Sequence, residues 1–176
     1  MSTFLENIDK LHNICNDNKI NVDFFNLPAN LLGHYCKFDG CYPCITLDYS
    51  IKDDYKHTLE VFSEEIGHYE TSVGKSYTIK PNKLGCNPTL SKIERKASVR
   101  GCEILISIED LFKALDNGNN SLYEVAEILG VTENMLKLRL EELSRKHSCI
   151  NFGNKSLVLS DYPRLRFVEV FYMALF

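Results

Sequence analysis

The sequence of 176 residues has no internal repeats, no low-complexity tract and no tryptophan; the last of these absences does not constrain its class. Its longest apolar runs fall well short of the roughly 20 residues that a membrane-spanning helix needs. Residues 1–20 carry acidic and amide side chains where a secretory signal would need an apolar stretch. We therefore expect neither a membrane segment nor a signal peptide, and a cytoplasmic location.

Positive charge is also scarce. The chain has 20 Lys and Arg against 24 Asp and Glu, a formal net charge of -4, so electrostatics give no reason to expect nucleic acid as a partner. The seven cysteines are odd in number and their spacings form no disulfide framework, which favours free thiols in a reducing compartment. The composition, 44% hydrophobic and 25% charged, is that of an ordinary globular protein.

The first two thirds of the chain mix helical and strand-like patterns. Helical spacing from Phe4 to Cys15 predicts an opening helix, and residues 21–25 form a short extended piece. Two strands, 33–38 and 41–49, are predicted on either side of Asp39-Gly40, a dipeptide typical of hairpin turns. Helices follow at about 54–70 and 91–106, separated by a polar loop that includes Gly74 and runs to Pro88.

The remainder of the chain predicts a small helical module and terminal strands. Ser107 caps a helix that ends at Asn117-Gly118. Residues 121–143 then predict two short helices, with a capping box at Ser121 and a break at Gly130. Residues 149–176 are strand-rich, with a turn at Gly153-Asn154. We expect two domains, residues 1–118 and residues 119–176.

The segment Glu64-Glu65-Ile66-Gly67-His68 has the spacing of a metal site. Positions i and i+4 of a helix share one face, about 5–6 Å apart at their Cβ atoms, so Glu64 and His68 can bind one cation. This is the geometry of the HExxH zinc motif with glutamate at the first ligand position. Zinc accepts carboxylate oxygen, although oxygen ligands select zinc less sharply than imidazole does.

A catalytic zinc site needs a third protein ligand and a general base. Glu94 on the following helix is the candidate ligand, because small residues at Ala97 and Gly101 would allow another helix to approach closely. Glu65, next to Glu64, is the candidate base. The alternative meaning of the segment is a solvated acidic turn on a helix surface, with His57 two turns earlier as a surface histidine.

Cys41 and Cys44 form a CxxC pair, with Cys36 five residues upstream. A thioredoxin-type site would need a helix N-terminus after the first cysteine, and a structural zinc would need a fourth ligand. The pair lies on a predicted strand, so we favour ordinary thiols over a redox or metal site.

The sequence resembles the ImmA/IrrE family of metallo-endopeptidases. The resemblance rests on residues 64–69, which read EEIGHY where members have an HE(L/I)GH helix, and on Glu94 three residues before Ala97. Leu27-Pro28, the hairpin and residues 121–143 also match phage-type members in order and spacing, over about residues 5–150. The departure is Glu64, which stands where the first histidine of the motif would be.

The resemblance implies a zinc-dependent endopeptidase that cleaves a helix-turn-helix repressor encoded beside it and so switches on a phage or mobile element. It implies an α+β fold in which a small antiparallel sheet packs on metal-bearing helices, followed by the helix-turn-helix-like module and terminal strands. Glu64, His68 and Glu94 would be the metal ligands, and Glu65 the catalytic base. The competing hypothesis is a DNA- or protein-binding regulator with a degenerate metal site.

Gly130-Val131-Thr132 joins the two helices of residues 121–143 by a short turn, as in a helix-turn-helix. A DNA-reading helix presents base-contacting side chains near its start, where Glu133 would repel phosphates. Lys137, Arg139 and Arg145 come later and are balanced by acidic residues. We therefore expect a packing or substrate-docking module and no nucleic-acid partner.

Overall fold

The computed structural model describes residues 2–72, 88–116, 121–164 and 166–169. Within them the fold is α+β, with six helices and two three-stranded sheets. The chain divides into two compact units, residues 1–105 and 106–176. This division precedes the expected boundary at residue 118. The loop expected after Gly74, the helix end expected at Asn117-Gly118 and Cys86 lie outside the described residues.

The first unit combines three helices with one sheet. In chain order its elements are α1 (Ser2–Asp17), β1 (Asn21–Phe25), β2 (Gly33–Cys36), β3 (Cys44–Asp48), α2 (Tyr55–Thr71) and α3 (Pro88–Leu105). The carboxylate of Asp54 accepts a hydrogen bond from the His57 amide and so caps the start of α2. The predicted helices at residues 54–70 and 91–106 are thus confirmed to within a few residues.

The sheet of the first unit is mixed, which corrects the expectation of an antiparallel sheet. The strand order is β1-β3-β2; β2 is antiparallel to β3 but β1 is parallel to it. The local pattern of residues 21–25 is that of a half-buried strand, with Val22 and Phe24 less exposed than their neighbours. Such a pattern sets which side chains face inward and not which neighbour the strand pairs with.

The hairpin is present but its strands are shorter than predicted. β2 ends at Cys36 and β3 begins at Cys44, so residues 37–43 form a longer connection. Gly40 lies within it at φ 80°, a conformation that glycine adopts without steric cost. In β3, Ile45 and Leu47 are buried while the residues between them are half-buried, as the alternating sequence predicts.

Helix α2 is at the centre of the first unit. It packs against α1, α3, β2 and β3. Its apolar face buries Leu59, Phe62 and Ile66, and the sheet contributes Ile45 and Leu47 to the core. Removing such side chains from water is the main stabilisation of the unit. The face of α2 that meets α3 instead carries small and polar residues such as Ser63 and Gly67.

Helices α2 and α3 cross at very short distance. A Cβ added at Gly67 would lie 2.1 Å from the carbonyl oxygen of Ala97. One added at Gly101 would lie 2.8 Å from the carbonyl carbon and oxygen of Ser63. Neither helix tolerates a side chain at these points, so the two glycines allow the backbones to meet. The close approach predicted from Ala97 and Gly101 is confirmed.

The second unit contains α4 (Ile108–Asp116), α5 (Leu122–Leu129), α6 (Glu133–Lys146), β4 (Cys149–Phe152), β5 (Lys155–Val158) and β6 (Arg166–Glu169). The predicted capping box is present: Ser121 and Glu124 satisfy each other's backbone amides at the start of α5. Gly130 ends that helix in the left-handed conformation, and Thr132 caps α6. Antiparallel pairing of β4, β5 and β6 confirms the terminal strands.

The core of the second unit is built mainly from α4, α5, α6 and β5. Its buried apolar residues include Leu111, Phe112, Val125, Leu136, Leu140, Leu143 and Leu157. The ring of Phe112 contacts Phe152 of β4 and Phe167 of β6, so the small sheet packs on α4.

We expect Gly67→Ala to destabilise the protein, although alanine is the better helix former. In an unhindered helix the change stabilises by about 0.5–1 kcal/mol. Here the new Cβ would meet the Ala97 carbonyl, and we expect overpacking to cost about 1–3 kcal/mol. Urea unfolding of metal-free protein measures this. Glu6→Ala, an exposed change on α1, is the control and should stay within about 0.5 kcal/mol of the parent. Unchanged or higher stability of Gly67→Ala would contradict the close crossing.

Candidate metal centre

Glu64 and His68 lie one turn apart on α2, on the side where α3 crosses. Glu64 is half-buried and His68 is buried. Gly67, adjacent to His68, is a point of backbone contact with α3. Glu64 and His68 therefore lie close to α3, and a side chain of α3 can reach them.

Glu94 of α3 completes a group of three. Glu64, His68 and Glu94 each place one ligand atom within 4.8 Å of the others. Nε2 of His68 lies 3.2 Å from Oε2 of Glu94. Among the described residues, no other set of three His, Cys, Asp or Glu side chains converges in this way. The two oxygen donors and one nitrogen donor are of the kinds that zinc accepts, so this triad is suited to hold a metal ion.

The electrostatics of the triad also favour a cation. Burial raises the pKa of Glu64, and the charges of Glu94 and Glu60 add to the rise. A hydrogen bond from Ser98 and the charge of His68 oppose it without cancelling it. Carboxylates crowded in a partly buried site are less stable when ionised unless a positive charge joins them. A bound metal ion would supply that charge.

The same carboxylates stabilise the charged form of His68. Burial disfavours its charged form, but the hydrogen bond with Glu94 and the charges of Glu65, Glu94 and Glu64 outweigh burial and raise the pKa of His68. A metal ion and a proton compete for the imidazole, so metal binding requires His68 to release its proton.

Glu65 lies beside the triad in a different environment. It is buried, and burial raises its pKa to about 7; the charges of Glu64 and Glu94 add to the rise, while His68 and a hydrogen bond from the Tyr35 amide oppose it. Strand β2 is close: a Cβ at Gly33 would lie 2.8 Å from Oε1 of Glu65. The convergent triad does not include Glu65, so its carboxylate remains available for proton transfer.

Several neighbours of the site are not apparent from the motif. Oγ of Ser98 donates to Oε1 of Glu64 over 2.7 Å. Gly33 and the amide of Tyr35 hold Glu65 from β2. Burial lowers the pKa of His34, and the charge of the nearby His68 lowers it further. Of these, Ser98 has one sequence signal, its position one turn after Glu94 on the same face of α3, but its bond to Glu64 depends on how α3 meets α2.

Other candidates stay outside the centre. His57 is half-buried on α2 and is not part of the convergent group. Cys41 is exposed in the connection between β2 and β3, whereas Cys36 and Cys44 face each other across the two strands. No disulfide involves the six described cysteines. The neighbour of Cys44 in the strand register is therefore Cys36 and not Cys41, the other cysteine of the CxxC motif.

The basic residues of α6 are engaged within the second unit. Arg139 is buried and its Nε donates to the carbonyl oxygen of Ile106 over 3.1 Å. Nζ of Lys137 lies 3.0 Å from Oε2 of Glu133, and Arg145 forms ion pairs with Glu141 and Glu142. A DNA-binding helix keeps such side chains available for phosphates and bases.

The metal-free protein should lose stability as pH rises. Glu65 binds its proton more tightly when folded, with a pKa of about 7 against 4.5, so its contribution is complete below pH 4.5 and is lost as pH passes 7. The raised pKa values of Glu64 and His68 act in the same direction. From about pH 5.5 to 7.5 we expect Glu65 to account for a loss of about 2 kcal/mol.

Urea unfolding in the presence of a chelator measures this loss. Glu65→Gln should remove most of it, because an amide does not titrate. Glu6→Gln, the same change at an exposed glutamate of α1, is the control and should retain it. A parent protein that becomes more stable over this interval would contradict the assigned shifts.

We expect the protein not to retard a DNA fragment at physiological salt. Arg139 supports the fold, so its replacement would not test DNA binding; Lys137→Ala and Arg145→Ala test it without removing a core contact. Lys113→Ala, an exposed lysine of α4, is the control. Retardation that Lys137→Ala or Arg145→Ala weakens and Lys113→Ala does not would establish a DNA-binding surface on α6.

Among the described residues, no helix combines the length and the apolar character needed to cross a membrane.

No protein-family model, curated protein or solved structure matches the chain. Glu64, His68, Glu94 and Glu65 are therefore the features of the chain that bear on its function.

Proposed function

We propose that the chain is a zinc-dependent endopeptidase that acts in the cytoplasm on a helix-turn-helix repressor. The observation that carries the proposal is the convergence of Glu64, His68 and Glu94 beside the buried carboxylate of Glu65. Three candidate ligands together with an adjacent proton acceptor are the protein groups that metal-assisted hydrolysis of a peptide requires.

Each ligand has a distinct origin in the fold. Glu64 and His68 come from successive turns of α2, and Glu94 comes from α3 across the glycine crossing. A zinc ion held by them would act as a Lewis acid on the peptide carbonyl and increase the acidity of a water molecule. Three protein ligands leave the further coordination position that such chemistry uses.

Glu65 is the proposed general base. It accepts a proton from the attacking water and then delivers this proton to the leaving amine. A pKa of about 7 suits both steps, because the carboxylate and its protonated form are then both accessible near neutral pH. The Tyr35 amide and the close approach of Gly33 hold the side chain in place.

The proposed substrate follows from the resemblance to the ImmA/IrrE family. A repressor with a DNA-binding surface is basic, and a chain of net charge -4 can attract it without competing for the DNA. The helix pair α5–α6 would then serve in docking the substrate, since its basic side chains are already engaged. Cleavage would relieve repression, as for an anti-repressor protease of a phage or mobile element.

The competing function is a regulator that binds protein or DNA and has no catalytic site. It predicts that the triad holds no metal, whereas the peptidase requires about one zinc ion per chain. Elemental analysis of protein purified without chelators or a metal-affinity tag distinguishes the two.

We expect Glu65→Gln to reduce cleavage by about 10²–10⁴-fold while metal content and folding are retained. The amide keeps the size of the side chain but cannot accept a proton. His68→Ala should instead lose both metal and activity, since it removes a ligand. Cleavage is measured by co-expression with a helix-turn-helix repressor, taken from the neighbouring gene if that gene encodes one, followed by immunoblotting of the repressor.

Glu6→Gln is the matched control, an exposed glutamate of α1 outside the triad, and should cleave like the parent. If Glu65→Gln cleaves as fast as the parent, Glu65 is not the base. If the parent relieves repression without cleavage and contains no metal, the regulator hypothesis is right.

A further inference from the structure

Glu64 differs from a histidine ligand in having two donor atoms. A carboxylate can bind a metal through one oxygen or through both, and its longer side chain has more rotational freedom than imidazole. If both oxygens of Glu64 bound the metal, they would occupy a position that a hydrolytic site needs for water. A site with glutamate here therefore needs a means of restricting it to one oxygen.

Ser98 supplies such a restriction. Its Oγ lies 2.7 Å from Oε1 of Glu64 and 3.0 Å from the backbone carbonyl oxygen of Glu94. The hydroxyl has one proton, and the shorter contact to a carboxylate, the stronger acceptor, takes it. Oε1 then accepts a hydrogen bond, which leaves Oε2 as the oxygen with more lone-pair density for a metal ion.

The position of Ser98 in the fold makes this hydrogen bond specific. Ser98 lies one turn after Glu94, so the helix that supplies one ligand also orients another. Its hydroxyl reaches Glu64 because the backbones of α2 and α3 meet at Gly67 and Gly101.

We infer that Ser98 is a positioning residue that holds Glu64 as a one-oxygen metal ligand and thereby keeps a coordination position open. The inference rests on the proposed metal centre, and Ser98 itself touches neither metal nor substrate. It extends the site from the ligands to the hydrogen bond that orients one of them, a type of contact whose loss typically weakens metal binding by about 10–100-fold.

The test measures metal binding directly. Zinc affinity is determined by competition with a chromophoric chelator, and the Co²⁺-loaded protein is examined by visible absorption. We expect Ser98→Ala to bind zinc about 10–100-fold more weakly and its Co²⁺ bands to lose intensity, since a second oxygen of Glu64 raises the coordination number. Ser98→Thr keeps the hydroxyl and should restore both properties.

Ser63→Ala is the matched control. Ser63 is a fully buried serine at the same helix crossing, but its hydroxyl donates to the carbonyl oxygen of Glu60 and not to a ligand. It should leave the affinity and the Co²⁺ spectrum unchanged. If Ser63→Ala weakens zinc binding as much as Ser98→Ala does, packing of the crossing explains the loss and the inference is wrong.

A second variant isolates the pair. In Glu64→His the first ligand has a single donor available to the metal, so adding Ser98→Ala should cost far less affinity than it does in the parent. Equal losses in the two backgrounds would overturn the positioning role. If the parent binds zinc but Ser98→Ala is indistinguishable from it, this inference fails while the metal centre stands; a parent that binds no zinc refutes both.

Discussion

The meeting of two helix backbones at Gly67 and Gly101 is the constraint on which the candidate centre depends. Glu94 reaches His68 only because no side chain separates α2 from α3 at these points. The hydrophobic core holds α2 from its other side, through residues such as Phe62 and Ile66. The polar cluster thus lies where packing has already fixed both backbones, and little conformational entropy remains to oppose convergence of the ligands.

The parts of this site that follow from one helix could be predicted from the sequence. The spacing of Glu64 and His68 is a property of helical geometry, and the structure has both on α2 as expected. Glu94 required a second argument from small residues and from the family resemblance. The hydrogen bonds of Ser98 and the Tyr35 amide could not be predicted in the same way, because they depend on which turn of α3 and which edge of β2 face α2.

The fold shows the same division between local and distant information. The caps at Ser107 and Ser121 are recognised from short patterns, and each is present. The direction of β1 relative to β3 is not contained in residues 21–25, since an alternating pattern fits a parallel or an antiparallel neighbour. The connection at residues 37–43 is longer than the Asp39-Gly40 dipeptide suggests, because pairing ends at Cys36 and Cys44.

Glu64 and Glu65 illustrate how two identical neighbours acquire different chemistry. Successive residues of a helix are about 100° apart, so these two carboxylates meet different elements. Glu64 turns toward α3, where Ser98 engages one oxygen; Glu65 meets β2, where burial raises its pKa to about 7. The first environment raises the pKa of Glu64 and engages one of its oxygens, which suits a ligand that a bound cation would stabilise; the second favours a group that exchanges protons near neutral pH. The proposed roles of ligand and base therefore follow from the surroundings of each side chain, since the residue type is the same.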